Sequence, residues 1–121
     1  MSKQISQLGF FLKKALEKLL KQNNETDLIQ SVLEINQKLQ EELGFDLTIL
    51  ETISEDMLIV FLEQHPQFSE ENLETLADIL SVFKSENFNR KALLIYNHIN
   101  AKTATFSFER NAKIESLKLK L

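Results

Sequence analysis

The sequence predicts an all-α protein of six to seven helices, a helical bundle with an antiparallel helical pair in its C-terminal half. Three observations carry this. The chain has only two glycines and one proline in 121 residues, where average usage is about 7% and 5%. Apolar residues recur at three- and four-residue spacing along most of its length. The one segment that reads as a strand by composition, Met57 to Leu62, has no second strand to pair with. Long helices on short connections leave few of the loops on which catalytic groups usually sit, so no enzyme is expected.

The elements follow in order. Helix one covers about residues 3–22. Ile5, Leu8, Leu12, Leu16 and Leu19 form its stripe, flanked by Gly9, Ala15 and Leu20, while Lys3, Lys14, Lys18 and Lys21 take the other side. Phe10 points into that lysine face. Asn23 and Asn24 interrupt, and helix two follows over about 25–43 on Leu28, Val32, Ile35, Leu39 and Leu43. Ile29 and Leu33 widen this stripe, so helix two is expected to touch neighbours on two sides. Leu43-Gly44-Phe45 stops it, with glycine left-handed and the next apolar residue folded back on the last turn. Asp46 caps a short helix over 47–51, and Ser54 caps the next over about 55–64. The run from Met57 to Leu62 makes that fourth helix one buried on most sides. His65-Pro66 ends it, because a residue before proline avoids the helical region. Ser69 caps the fifth helix, about 70–86, with Glu70 and Glu71 well placed in its first turn. Asn87-Phe88-Asn89 turns the chain into a sixth helix over about 90–102. Residues 103–106 turn again, and Ser107 caps the last helix, about 108–120.

Length places residues 1–121 in a single domain, large enough to bury roughly two-thirds of its unfolded surface without staples. With no cysteine there are no disulfides and no thiolate metal sites, which permits a reducing, cytoplasmic setting. The N-terminus lacks an unbroken apolar stretch and a small-residue cleavage site, so it is not read as a signal peptide. No apolar run approaches the about 18 residues of a membrane span.

Charge is segregated. Residues 1–40 carry six basic and four acidic side chains, 41–86 one basic and twelve acidic, and 87–121 seven basic and two acidic. An acidic centre between basic ends favours packing of the ends on the middle, or pairing with another copy. A nucleic-acid protein would carry a net basic footprint, so no nucleic-acid partner is expected. Arg90, Lys91, Lys102, Arg110 and Lys113 are the residues that would meet RNA, yet the periodicity buries Tyr96, the natural stacking ring.

No cofactor, metal or small-molecule substrate is expected either. His65 and His98 have no histidine or cysteine at ligand spacing and read as ordinary surface or capping histidines. Two isolated glycines cannot build a phosphate-binding loop. Acidic pairs such as Glu41-Glu42, Glu55-Asp56 and Glu70-Glu71 diverge around their helices and make no carboxylate pair across a cleft.

Two stretches resemble the two helices of a tetratricopeptide-repeat unit. Leu73-x-x-Leu76-Ala77-x-x-Leu80 has the first helix's large, large, small, large pattern. Ala92-x-x-x-Tyr96-x-x-Ile99 has the second helix's small, aromatic, small spacing, with isoleucine in place of the small last residue. Pro66 stands where a preceding repeat's terminal proline would fall. The connection is about three residues longer than the repeat allows, and no second copy occurs at the period of about 34 residues. The resemblance covers about residues 66–100 and implies a helical hairpin. The chain as a whole resembles small uncharacterised bacterial all-helical proteins, which implies no activity.

What remains is interaction. Lysines opposite an apolar stripe, with Phe10 off the stripe, form the pattern of a partner-binding or membrane-surface helix. The reading placed ahead of both is a core helix whose stripe packs on helix two, with the lysines simply solvated. Phe10, Lys14 and Lys18 are therefore candidate partner contacts. Phe106 and Phe108 flank the capping Ser107. They read as packing anchors that fix the approach to the last helix, or, with Arg110, as partner contacts. The expected function is a non-catalytic protein-interaction module of a bacterial cytosol, binding a protein partner or itself as a homodimer. The alternatives are a small acidic partner-neutralising protein of the immunity or antitoxin type, and peripheral membrane association through helix one.

Overall fold

The computed structural model describes residues 3–104 and 106–121. Among them seven helices follow one another without strands: α1 (Lys3–Leu20), α2 (Glu25–Leu43), α3 (Leu47–Thr52), α4 (Glu55–Glu63), α5 (Glu70–Val82), α6 (Glu86–Thr103) and α7 (Phe108–Lys120). Local chemistry sets most of the boundaries. The side chains of Asn24, Asp46, Ser69 and Ser107 each accept a backbone N–H of the helix they precede, satisfying a donor that has no partner within the helix. Ser54 sits at the N-cap of α4 without a side-chain bond. Gly44 stops α2 at φ 81°, donating its N–H to the Gln40 carbonyl at 3.0 Å, and Phe45 is buried behind it.

The centre is the hairpin of α5 and α6. Leu76, Ala77 and Leu80 of α5 and Ala92, Ile95, Tyr96 and Ile99 of α6 are all at most 1% exposed. The alanines let the two helices approach, and each buried leucine or isoleucine contributes roughly 1.5–3 kcal/mol. The remaining helices cover this hairpin: α1 lies along α5 with α2 outside it, and α3, α4 and α7 lie on α6. One continuous apolar cluster takes residues from all seven.

The hairpin turn is displaced from its expected place. The chain reverses at Phe83–Ser85, and α6 begins at Glu86 with Ser85 as its cap. Asn87 and Asn89 are thus helical, and both serve other helix ends. Asn89 Nδ2 donates to the carbonyls of Leu80 and Phe83 at the end of α5, and Asn87 Nδ2 donates to the Glu51 carbonyl of α3.

Helix one is a core helix, but its principal neighbour is α5 rather than α2. The reason lies at Gly9. A Cβ there would meet Asn72 Oδ1 at 2.7 Å. Asn72 is pinned by donating its amide to the carbonyls of Ile5 and Gln67, at 2.9 and 2.8 Å. Alanine in a helix interior normally gains about 1 kcal/mol over glycine. Here Gly9→Ala is expected to lose about 1 kcal/mol or more, since Asn72 cannot turn away without breaking both bonds. A rise in stability in urea melts would show that the close approach is not required.

Two other expectations change. Helix α2 does touch two neighbours, α1 and α3, but not through Ile29 and Leu33, which are 57% and 58% exposed. Nor is α4 buried on most sides: Leu58 and Leu62 face the core, whereas Met57 and Val60 lie open to solvent. An amphipathic helix on the surface of a bundle buries one stripe, and a continuous apolar run on it must leave some side chains outside.

Candidate interaction surface

Leu8, Leu12, Ala15 and Leu19 fix which side of α1 faces inward. Phe10 lies two residues from Leu8 and Leu12, about 200° round the helix, so it cannot join them and remains 65% exposed. Lys14, one turn on, sets its ammonium 5.0 Å from the ring centroid, a cation–π contact worth about 0.5–1 kcal/mol at an exposed site. Phe10, the half-buried Phe11, Lys3, Lys14 and, from α2, Lys38 border a groove of about 580 Å³. Glu42 is the acidic residue of its lining and is paired with Lys38 at 3.7 Å. The groove is an apolar floor with a net basic rim.

Lys18 is placed differently. It forms an ion pair with Glu34 of α2, so it ties α1 to α2 and is not presented to a partner. The Lys18 hydrogen bond, helped by Gln30, holds the Glu34 carboxyl below its ordinary value.

Phe106 and Phe108 are not packing anchors. They are 66% and 83% exposed and meet each other edge to face at 4.7 Å. Ala104 closes α6 at φ 54°. Phe106 and Phe108 are outside the buried cluster, and each ring covers the other.

Arg110, expected at a partner surface, turns inward. Its guanidinium meets Glu74 at 3.0 Å and donates to Asn100 Oδ1 at 2.8 Å, with 13% of the side chain exposed. It belongs to a polar network that fastens α7 to the hairpin. Lys113 bridges Glu74 and Asp78, at 2.9 and 3.1 Å, and the Tyr96 hydroxyl donates to Asp78. Burial raises the Glu74 carboxyl, but the hydrogen bonds and charges of Lys113 and Arg110 together outweigh it and leave it below its ordinary value. For Lys113 burial works downward, and Glu74 and Asp78 overcome it to raise the ammonium. Burial foremost, then Asp78, pushes the Tyr96 phenol up, so it stays a hydrogen-bond donor. Both carboxylates are engaged by cations, which makes this network a fastening.

The other basic residues named as RNA contacts are likewise occupied. Arg90 pairs with Glu55 at 3.2 Å, and Lys102 with Glu63 at 4.0 Å. Lys91 is buried, 2% exposed, and its ammonium donates to the carbonyls of Leu50 and Glu51 at 2.6 and 2.8 Å, closing the C-terminus of α3. Burial lowers its pKa, which the nearby Glu55 and Glu51 partly offset. The signal was in the spacing: Lys91 stands three residues after Phe88 and four before Ile95, on the buried stripe. Asn72, four residues before Leu76, stands on the buried stripe of α5 in the same way.

His65 is no surface histidine. Its ring lies among those of Phe45, Phe61 and Phe68, with centroids 4.8, 5.2 and 6.4 Å away. His98 is largely covered, its Nε2 3.3 Å from Glu63 but not aligned for a hydrogen bond. Among the described residues no three histidine, cysteine or acidic side chains gather as metal ligands, and no helix is long and apolar enough to cross a membrane.

The charge segregation resolves into contacts within the chain. Lys13 of α1 pairs with Glu71, and Arg90, Lys102, Arg110 and Lys113 pair with Glu55, Glu63, Glu74 and Asp78. The basic ends pack on the acidic middle. No protein-family model matches this chain, and neither a curated protein nor a solved structure matches it.

Proposed function

We propose that this chain is a non-catalytic protein-interaction module of a bacterial cytosol, and that it docks an acidic, apolar-anchored partner segment on the outer side of α1. The observation that carries the reading is Phe10: a large ring two-thirds exposed, held under Lys14, at the edge of a basic groove. Exposed aromatic side chains beside basic groups are the anchors of protein interfaces, and a basic rim selects an acidic partner. The α5–α6 hairpin, TPR-like in its residue pattern, serves as the rigid frame. A membrane role for α1 draws no support from a helix whose stripe is in the core. A partner-neutralising role draws less support, because much of the acidic middle is paired within the chain.

The test is a display selection of helical peptides against the intact chain. Enriched peptides are expected to carry Asp and Glu around an apolar anchor. Their binding should weaken at least about tenfold with Phe10→Ala, or with Lys14→Glu, while the melting temperature holds. Absence of enrichment, or binding indifferent to both substitutions, overturns the reading.

A further inference from the structure

The groove on α1 has two unlike ends. Residues 21–24 join α1 to α2, and Lys18 pairs with Glu34, so α2 runs back along α1. Lys38, one turn past Glu34, thus lies towards the Lys14 end of the groove, and Glu42, a turn further, towards the Lys3 end. At the first end the ammonium groups of Lys14 and Lys38 border the apolar floor. At the second the Glu42 carboxylate offsets Lys3, and Ser6 and Gln7 add no charge. Beyond Lys14 the charges cancel, because Lys18 is paired with Glu34 and Glu17 is followed one turn on by Lys21.

We propose that Glu42 is the specificity-determining residue of this groove. It admits acids on only one flank of the bound segment's apolar anchor, and it fixes the segment with that flank at the Lys14–Lys38 end. A carboxylate seated there meets two cations. One seated at the far end meets Glu42, whose repulsion cancels the attraction of Lys3. Like charges set against each other select partners more strongly than they tune affinity, and such a repulsive element is how a surface rejects near-matches. A rim of lysines alone would take a segment acidic on both flanks, and in either direction. This inference rests on the α1 docking reading and narrows the partner it admits.

The contact between Lys38 and Glu42 does not withdraw either group. Their charged atoms are 3.7 Å apart, and Glu41 is 4.0 Å from the same ammonium. The Lys38 and Glu42 side chains are 49% and 39% exposed. Surface pairs of this kind contribute little, so Lys38 turns to a ligand carboxylate at small cost. Lys14 is likewise held only by its contact with the Phe10 ring. Phe10 and Phe11 supply the apolar floor that takes the anchor.

Synthetic helical peptides with one shared apolar anchor test this. One carries glutamates on a single flank, the other on both. The wild-type chain is expected to bind them within about twofold of each other. Glu42→Gln should favour the second by about fivefold, because Lys3 then acts unopposed. A nitroxide on the acidic end of the single-flank peptide should broaden the amide signals around Lys14 and Lys38. The charge exchange Lys38→Glu with Glu42→Lys keeps the net charge and an i, i+4 pair. It should move the broadening to the signals around Lys3 and Gln7, with the melting temperature unchanged. A wild-type preference for the second peptide as large as that of Glu42→Gln, or broadening that stays in place after the exchange, overturns the role of Glu42 while the docking reading stands. Binding of neither peptide, or binding indifferent to Phe10→Ala, overturns the docking reading and this inference with it.

Discussion

Leu80→Ala is expected to cost about 2–5 kcal/mol of folding stability. Leu80 is completely buried in the seam between α5 and α6, and Asn89 is hydrogen-bonded to its carbonyl. Backbone collapse into the space would disturb that bond, so the cavity is expected to persist and the loss to lie towards the upper part of the range. Urea melts give the number, with an unchanged slope showing that the denatured state is unaffected. Leu33→Ala is the internal control. The same deletion at a side chain 58% exposed should fall within about 0.5 kcal/mol of wild type. A Leu80→Ala loss that small would remove the hairpin from the centre of the core.

Glu74→Ala is expected to cost about 1–3 kcal/mol at neutral pH. It takes from Arg110 and Lys113 their shared acceptor, at 3.0 and 2.9 Å. Lys113 keeps Asp78 and Arg110 keeps Asn100, so the penalty falls short of that for an isolated buried charge. The pH dependence follows from the direction of the shift. Glu74 is held below its ordinary value in the folded chain, so its contribution is fully present above the unfolded carboxylate value of about 4.3. It is lost as pH falls through the lower folded value. Glu74→Gln should therefore flatten part of the acid limb of the stability curve and leave α7 exchanging its amide hydrogens faster. An unaltered acid limb, with α7 protected as in wild type, would mean that the network does not fasten α7.

Much of the fold was legible because its signals are local. The side-chain oxygens of Asp46, Ser69 and Ser107 bond to N–H groups two or three residues on, within the same turn. The Gly44 stop is likewise a property of five consecutive residues. The stripes of α1, α5 and α6 follow from one periodicity, and Leu76, Leu80, Ala92, Tyr96 and Ile99 are buried together as that periodicity requires. Phe10 was legible as a candidate contact for the same reason, since its angle on α1 excludes it from the stripe.

The remainder depended on groups distant in the chain. Lys91 is buried because the end of α3, some 40 residues earlier, offers it two carbonyls. Arg110 is covered because Glu74 and Asn100 converge on it. Nothing within a turn of either residue announces those acceptors. Gly9 reads as a weakness in a helix until Asn72, 63 positions on, occupies the space its missing side chain leaves. Ile29 and Leu33 read as core because periodicity reports only which residues share a side of a helix. Whether a neighbour covers that side is decided by where the other helices pack, and here α1 and α3 pack on other parts of α2 and leave these two side chains to solvent.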